Sequence, residues 1–377
     1  MKEIYLDNSA TTKPFEKALD TYMRVARDDY ANPSALHTGG LEAEHIVQKA
    51  RAQVAQSLGC RPEEIIFTSG GTESDQIAIL GTAFRRRREG NHLITSKIEH
   101  HAVLRAFEFL QTQGFDVTYL DAKADGRVDF DQLERSVRED TILISLMLVN
   151  NETGVRQEVE RIRKLAPHAV VHTDAVQAYG KMPIDVKKLG VDLLSLSGHK
   201  VHGVKGIGAL YCKKGTKLAT VSFGGGQEQG IRSGTLNTPA IAALGEAADH
   251  IQKNLEQDCA YLRKLKDQLQ GLLLEIDGAR LNGSESVNII NISFQDVRGE
   301  VLLHALESKK IYLSTGSACT SKSPKPSHVL DAMGIDRVRA QEAVRISLSV
   351  LNTEEEILYA ADEIKTAVEF LRKFKRR

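Results

Sequence analysis

The chain has 377 residues, of which 41% are hydrophobic and 27% charged, a composition typical of a globular protein with about two domains. Fifty basic residues balance fifty acidic ones, so the net charge gives no support to nucleic acid or an anionic membrane as the main partner. The four cysteines are scattered without CxxC or His-rich spacing, which argues against a disulfide framework and a zinc site.

The first residues and the lengths of the apolar runs indicate the cellular compartment of the protein. The first residues, KEIYLDNSATT after Met1, lack the apolar core of a secretory signal, and no apolar run is long enough to span a bilayer. Free thiols fit a reducing compartment. We therefore expect a cytoplasmic protein.

Short β-rich runs alternate with helical patterns through the first two-thirds of the chain. The helical patterns cover 73–88, 102–113, 130–139 and 158–166, and the strand candidates are EIIFTS, HLITS, DVTYLD, TILISLMLVN, AVVHTDA, DLLSLS and GIGALYC. Apolar strands separated by amphipathic helices are typical of a parallel sheet covered on both faces. The pattern predicts an α/β domain with a mostly parallel seven-stranded sheet.

The pattern changes after about residue 238. A long helical region, 241–276, leads to VNIINISF, KKIYLST and a final helix, whose start is marked by a capping box of Thr353 and Glu356. We expect a large domain at 15–255 and a smaller α+β domain built from 1–14 and 256–377.

The most informative strand end is DLLSLSGHK, which finishes on Lys200. A glycine-rich stretch, GVKGIGAL, follows, so the backbone is expected to approach a neighbouring group closely. A partly desolvated lysine is what Schiff-base chemistry requires. Taken alone, the same lysine also fits an ordinary surface position.

Other strand ends offer what a pyridoxal phosphate (PLP) enzyme needs around such a lysine. TSGGTES places Gly71 and Thr72 at a helix start, where N–H groups bind phosphate. VVHTDAVQ ends on Asp174, followed by Gln177, and a buried carboxylate requires a partner such as a pyridinium. An aspartate that only caps the next helix is the alternative.

Two further strand ends carry adjacent pairs of polar residues. KIEHHAVL offers His100 and His101, either of which could stack on a ring or move protons. VNNETG offers the amides of Asn150 and Asn151. The carboxyl ends of parallel strands meet at one crevice, so we expect all of these groups to converge there.

At this point the sequence resembles the cysteine desulfurases, most closely the NifS/IscS group. The motifs occur in the family's order along nearly the whole chain: YLDNSATT, NPSALH, TSGGTES, EHHAVL, VNNETG, HTDAVQAYGK, SLSGHK, GVKGIGALY, GGGQEQGIRSGT, TGSACTS and VRISLS. The resemblance implies the PLP-dependent transferase fold type I of the class-V aminotransferase superfamily, with PLP as cofactor.

The resemblance also implies roles around the cofactor ring. Lys200 would form the aldimine, His100 would stack on the ring, Asp174 would pair with the pyridine nitrogen, and Gln177 and Asn151 would lie near the ring.

Further implied roles concern the phosphate and the substrate. The phosphate would be held by Gly71, Thr72, Ser197 and His199, with Thr235 reaching it from the opposite subunit of a homodimer. The substrate amino acid would be positioned by Asn32, Asn151 and Arg345, and a guanidinium can bind both carboxylate oxygens.

The segment TGSACTSKSP carries Cys319 among small and polar residues, which predicts a mobile, exposed loop. Within the resemblance, Cys319 attacks the sulfur of L-cysteine, becomes a persulfide and leaves L-alanine, with His100 assisting the proton transfer. The loop would then carry sulfur to an acceptor protein for iron–sulfur cluster assembly, thio-cofactor synthesis or tRNA thiolation. A selenocysteine lyase or an aminotransferase of the same fold is the alternative.

The sequence differs from the family pattern at the C-terminus. Many IscS-type chains continue past the last helix into a tail that docks an iron–sulfur scaffold, whereas this sequence stops at FLRKFKRR. Docking through such a tail is therefore not implied, and an acceptor of the tRNA-thiolation pathway stays open.

Overall fold

The computed structural model describes residues 3–316 and 327–375, and its strands fall into three sheets. In chain order the strands are β1 Ile4–Tyr5, β2 Ile65–Thr68, β3 His92–Ser96, β4 Asp116–Leu120, β5 Thr141–Ser145, β6 Val170–Asp174, β7 Leu193–Ser197, β8 Gly208–Cys212, β9 Ala279–Gly283, β10 Ile289–Phe294, β11 Ile311–Tyr312 and β12 Ala343–Ser347.

The large sheet contains the seven predicted strands in the order β2-β8-β7-β6-β5-β3-β4. Strand β8 pairs antiparallel with both neighbours, and the other pairs are parallel. Every residue of β2, β3, β5, β7 and β8 is buried, as expected for a sheet covered by helices on both faces. The prediction of a mostly parallel seven-stranded sheet is confirmed.

Helices lie before, between and after these strands. In chain order they are α1 Glu16–Asp28, α2 Thr38–Leu58, α3 Gly71–Arg86, α4 His101–Thr112, α5 Phe130–Ser136, α6 Ile162–Leu165, α7 Val186–Leu189, α8 Thr238–Leu274, α9 Gly299–Glu307, α10 His328–Ala332, α11 Arg337–Gln341 and α12 Glu354–Lys375. None of the described helices combines the length and apolar character needed to cross a bilayer.

The predicted helix at 158–166 is only partly present. A 3₁₀ turn, Val159–Arg161, precedes the four-residue helix α6. Pro167 explains the early end, because a proline disfavours helical backbone at the residue before it, and Ala166 has φ −134° and ψ 71°.

The second part of the chain forms its own antiparallel sheet, in the order β12-β10-β9. The N-terminal strand β1 pairs in parallel with β11, and Ile4 and Leu6 pack into the same apolar core as α8, α9 and α12. The predicted capping box is confirmed, since the Glu356 N–H donates to Thr353 Oγ1 and the Thr353 N–H donates to Glu356, both at 3.2 Å.

Helix α8 runs through both cores without a break. Leu255 packs against the core of the large sheet, whereas Cys259 packs against the core of the smaller one. We propose that the domain division falls between these two residues, as the predicted boundary of 255 and 256 has it.

Candidate active site

The carboxyl ends of the parallel strands open into one cavity of about 180 Å³. The sequence-predicted residues that line it are Gly71, Thr72, His100, Asn151, Asp174, Gln177, Ser197, His199, Lys200 and Arg345. They come from five separate strand ends of the large sheet and from β12 of the smaller one. The expected convergence at the strand ends is thus observed.

Lys200 lies in a 3₁₀ turn, Gly198–Lys200, directly after β7. Its Nζ donates to the carbonyl oxygens of Ser9 and Ala10, at 2.9 Å for Ala10. The turn is tight at Gly198, where a Cβ would lie 2.8 Å from the Ile207 side chain. A glycine is therefore required for the turn to close against β8.

Asp174 ends β6 and is buried. Its Oδ1 accepts the Val176 N–H at 2.9 Å, which closes a local turn. The next described helix, α7, begins only at Val186, so Asp174 does not cap a helix as the alternative interpretation had it. Burial raises the pKa of Asp174 to about 6, while the Val176 N–H and the charge of Lys200 oppose the rise. A carboxylate in this position gains from a cationic partner in the cavity.

The start of α3 offers backbone N–H groups beside the β7 end. Gly71 approaches Val176 so closely that a Cβ would lie 2.8 Å from the valine Cγ2. In the turn before the helix, the Ser69 N–H donates to Glu73, whose other oxygen accepts from Arg232 Nε at 3.2 Å. Gly71 and Thr72 at this helix start line the cavity, where N–H groups can bind a phosphate.

The structure separates the two adjacent histidines. His100 precedes α4, lines the cavity, and accepts the Ala102 N–H on Nδ1 at 3.2 Å. His101 instead packs against His328, with ring centroids 4.7 Å apart. Burial and the charge of Lys200 lower the pKa of His100 to about 4, so its imidazole is neutral at neutral pH.

The two adjacent asparagines separate in the same way. The side chain of Asn150 is used within the fold, donating to the Ile98 carbonyl and accepting the N–H groups of Glu152 and Thr153. Asn151 lines the cavity, and its backbone carbonyl oxygen accepts a hydrogen bond from Arg345 Nη1 at 2.9 Å.

Arg345 comes from β12 and is 1% exposed. Its Nη2 lies 2.7 Å from Asp7 Oδ1, and its Nε has no hydrogen-bond partner among the described residues. Asp7 and Asn151 thus use two of the five guanidinium N–H groups, which orients the guanidinium and leaves further donors for a ligand.

Some residues of the cavity were not predicted from the sequence. Asp75 is buried in its wall, and burial raises its pKa well above the ordinary value, with the charge of Asp174 adding to the rise. Ser9, Ala10 and Met147 also line it. The position of Asp75 one turn into the helix after TSGG was the available signal.

Two of the predicted residues that the structure describes do not line the cavity of this chain. Asn32 accepts the Ser34 N–H at 2.9 Å in an exposed turn, and Thr235 lies in the loop before α8. Neither lines the cavity. Cys319 lies outside the described residues.

The cavity fits PLP. Ser197 Oγ, Gln177 Oε1 and Arg345 Nε are buried on its walls without a hydrogen-bond partner among the described residues. Together with Asp174 and the amine of Lys200, they provide the donors, the acceptors and the carboxylate that the phosphate and ring of this cofactor require.

The chain matches the family model for aminotransferase class-V over residues 4–359. It is 44% identical over 376 residues to the cysteine desulfurase IscS of Methanosarcina thermophila, covering 98% of this chain and 93% of that protein. A solved NifS-like protein matches with a TM-score of 0.92 and 38% identity, covering 98% of this chain and 100% of that one. A structure described as SspA in complex with cysteine matches with a TM-score of 0.83 and 37% identity, covering 93% and 100%.

These similarities extend over both parts of the fold and over the whole of the candidate site. The chain therefore belongs to the aminotransferase class-V family and, within it, to the PLP-dependent cysteine desulfurases of the IscS/NifS type.

Proposed function

We propose that this chain converts L-cysteine to L-alanine, with Lys200 binding PLP and Cys319 receiving the sulfur as a persulfide. The main support for this proposal is that one cavity is lined by four of the predicted residues, namely Lys200, Asp174, His100 and Arg345. These four residues supply an amine, a carboxylate, a neutral imidazole and a guanidinium around one small volume. That set matches what removal of a group from an amino acid on PLP requires.

Several residues of the chain would hold the cofactor. When bound, PLP supplies an electron sink for the substrate carbon. Asp174 would pair with the protonated pyridine nitrogen, and Gln177 would donate or accept near the ring. The N–H groups at the start of α3, with Ser197 and His199, would bind the phosphate. His100 would cover one face of the ring.

The substrate would be oriented by its carboxylate. Arg345 lines the cavity, and its Nη1 and Nη2 are held by Asn151 and Asp7 while its Nε has no partner among the described residues. A guanidinium fixed in this way binds a carboxylate with little loss of side-chain freedom.

Proton movement falls to Lys200 and His100. Lys200 would take the α-proton of the substrate, and neutral His100 can accept the proton of an attacking thiol because its pKa is lowered to about 4. The Cys319 thiolate then forms an S–S bond to the substrate sulfur as the carbon–sulfur bond breaks. The β-carbon keeps the electron pair and takes up a proton, and Lys200 returns a proton to the α-carbon, which yields L-alanine and a persulfide.

The roles of Cys319 and Lys200 are tested by two substitutions. Cys319→Ala should keep the visible absorption of bound PLP and lose persulfide formation, whereas Lys200→Ala should lose the lysine-bound absorption band. Cys259→Ala is the matched control for the thiol, because Cys259 is a half-buried free cysteine outside the cavity. Sulfide release by Cys319→Ala at the wild-type rate without reductant would overturn the role of Cys319.

The alternative activities are not favoured. A selenocysteine lyase or an aminotransferase would use the same lysine and aspartate, so the cavity alone does not separate them. The similarity to named cysteine desulfurases over nearly the whole chain favours desulfuration. Alanine formed without an amino-group acceptor would separate desulfuration from transamination.

We propose that the active form is a homodimer. The segments that carry Asn32 and Thr235 expose large apolar side chains, namely Tyr30 at 80%, Leu36 at 95% and Phe223 at 85%. Apolar surface of this kind favours a second copy of the chain as its cover. A second copy would also bring Thr235 to the phosphate of its partner, as the family resemblance implies.

Leu36→Asp should weaken this dimer and lower its affinity for PLP. Phe370→Asp is the control, because Phe370 is 55% exposed on α12, away from these segments. Sedimentation gives the mass of each variant. A wild-type chain that stays monomeric at micromolar concentration and is fully active would contradict the dimer.

We further propose that the persulfide sulfur passes to an acceptor protein in the cytoplasm, either an iron–sulfur scaffold or an enzyme of tRNA or thio-cofactor thiolation. We expect the protein to bind neither membranes nor nucleic acid directly. Incubating the enzyme with ³⁵S-cysteine and cell extract should label such a protein. The label should be absent with Cys319→Ala.

A further inference from the structure

A second lysine lies directly behind Lys200. Lys181 is 9% exposed, and its Nζ donates to the backbone carbonyl oxygen of Lys200 at 2.7 Å. It does not line the main cavity. It lines instead a separate space of about 20 Å³ between the two apolar cores, together with residues of α8 and of the N-terminal segment.

Among the residues that the structure describes, none forms an ion pair with the Lys181 ammonium. Among the described residues no carboxylate lies within 4 Å of Lys181 Nζ, and the acid of the small space, Asp258, is paired with His250 at 2.8 Å. The Cys259 thiol has its pKa raised by burial, so it carries no charge at neutral pH. His202 is also neutral, because burial lowers its pKa to about 4.

A buried cation held so close to Lys200 affects it in two ways. The hydrogen bond fixes the backbone carbonyl, and therefore the turn from which the Lys200 side chain starts. The positive charge disfavours a second positive charge on the Lys200 nitrogen, since like charges in a poorly solvated site repel. The first effect aims the Lys200 nitrogen at the cofactor, and the second favours its neutral form.

We propose that Lys181 is a positioning residue whose charge keeps the Lys200 nitrogen unprotonated at the cofactor. The inference rests on the proposed role of Lys200 as the PLP-binding lysine. Burial, followed by the charge of Lys200 in the cofactor-free chain, lowers the pKa of Lys181 to about 8, so Lys181 is charged at neutral pH.

The test is a pH titration of the visible absorption of the holoenzyme. Lys181→Met should move the titration midpoint of the lysine-bound cofactor upward by about one pH unit. Lys181→Arg keeps the charge and should restore the midpoint. A second measurement is the rate at which apoenzyme recombines with PLP, which needs a neutral amine and should fall severalfold at neutral pH in Lys181→Met.

Lys266→Met is the matched control. Lys266 is also buried, at 7% exposure, and also donates to a backbone carbonyl, that of Ser284 at 3.0 Å, but it lies in the smaller core. Its substitution should leave the midpoint unchanged. A structural effect of losing any buried lysine would move both variants.

An unchanged midpoint in folded, PLP-bound Lys181→Met would overturn the proposal. If that variant does not fold, Lys181→Gln, which keeps a donor for the Lys200 carbonyl, decides by the same measurement. The absorption does not depend on which amino acid is the substrate. Failure of the desulfurase proposal would therefore show in product analysis, and an incorrect assignment of Lys200 would show in Lys200→Ala.

Discussion

Arg345 and Asp7 form an ion pair, with Nη2 of the arginine 2.7 Å from Oδ1 of the aspartate. The two residues are separated by 338 positions in the chain and join the small sheet to the N-terminal segment at the cavity. The proposed substrate-binding arginine is thus oriented before any substrate arrives.

Replacing Arg345 by lysine should weaken substrate binding. A lysine keeps the positive charge but cannot bind both carboxylate oxygens and Asp7 at once, so KM for L-cysteine should rise by about tenfold or more. Steady-state kinetics and the cofactor spectrum measure the effect, and the spectrum should be unchanged. Arg339→Lys is the control, because Arg339 is partly buried and lies outside the cavity. Equal changes in KM for both variants would contradict the role of Arg345.

Asp174→Asn should lower the affinity for PLP by at least about tenfold, because a neutral amide cannot stabilise a pyridinium. Asp185→Asn controls for a mere turn-forming role. Asp185 Oδ1 accepts the Lys187 N–H two residues on at 2.9 Å, just as Asp174 accepts the Val176 N–H. Titration of each apoenzyme with PLP gives the affinities. Similar affinities in the two variants would leave Asp174 as a turn former only.

Glu99→Gln should change how stability depends on pH. Glu99 accepts from Ser96 Oγ and the Met147 N–H, and burial raises its pKa from 4.5 to about 8. A raised native pKa means that the contribution to stability is full below pH 4.5 and is lost as pH rises to about 8. The glutamine does not titrate. Across this pH window the free energy of unfolding of the variant should therefore rise relative to that of the wild type, by on the order of 1–3 kcal/mol.

Urea unfolding of the PLP-bound proteins between pH 5 and pH 8 measures that difference. Glu108→Gln is the control, since Glu108 is exposed beside Arg105 on α4. Parallel curves for wild type and Glu99→Gln would show that the Glu99 carboxyl titrates alike in the folded and unfolded chains.

Glu228→Gln should cost about 3 kcal/mol in the free energy of unfolding, because it leaves a buried guanidinium without its counter-ion. Glu228 binds Arg51 through both oxygens, at 2.6 and 2.9 Å, and accepts the Phe67 N–H at 2.7 Å. In the exposed pair of Arg61 and Glu63, Glu63→Gln should cost less than about 0.5 kcal/mol. Denaturant unfolding measures the loss of unfolding free energy in each variant. Equal losses for Glu228→Gln and Glu63→Gln would show that the buried ion pair contributes no more than the exposed one.

Local patterns were enough to predict the strands and the residues that end them. Asp174 and Lys200 each follow an apolar strand, and the carboxyl ends of parallel strands meet at one edge, so their meeting could be predicted without any long-range information. The capping box at Thr353 and Glu356 is likewise a local relation of four residues.

Contacts between distant parts of the chain could not be predicted in this way. The carbonyl groups of Ser9 and Ala10 reach Lys200 across about 190 residues, and no local pattern encodes a backbone acceptor. The sequence also could not show which of the adjacent residues His100 and His101 lines the cavity. The start of α4 between them decides which ring faces the cavity.

The position of Asp7 and Lys200 relative to Arg345 has a consequence for synthesis on the ribosome. The N-terminal segment can meet the turn at Lys200 once some 200 residues have emerged, but Asp7 has to wait for β12, near residue 345. A nascent chain can thus form the large sheet and the turn of the proposed cofactor-binding lysine long before the proposed substrate-binding arginine is synthesised. If these roles hold, the cofactor can be bound before the chain is complete, whereas the amino acid can be recognised only near the end of translation.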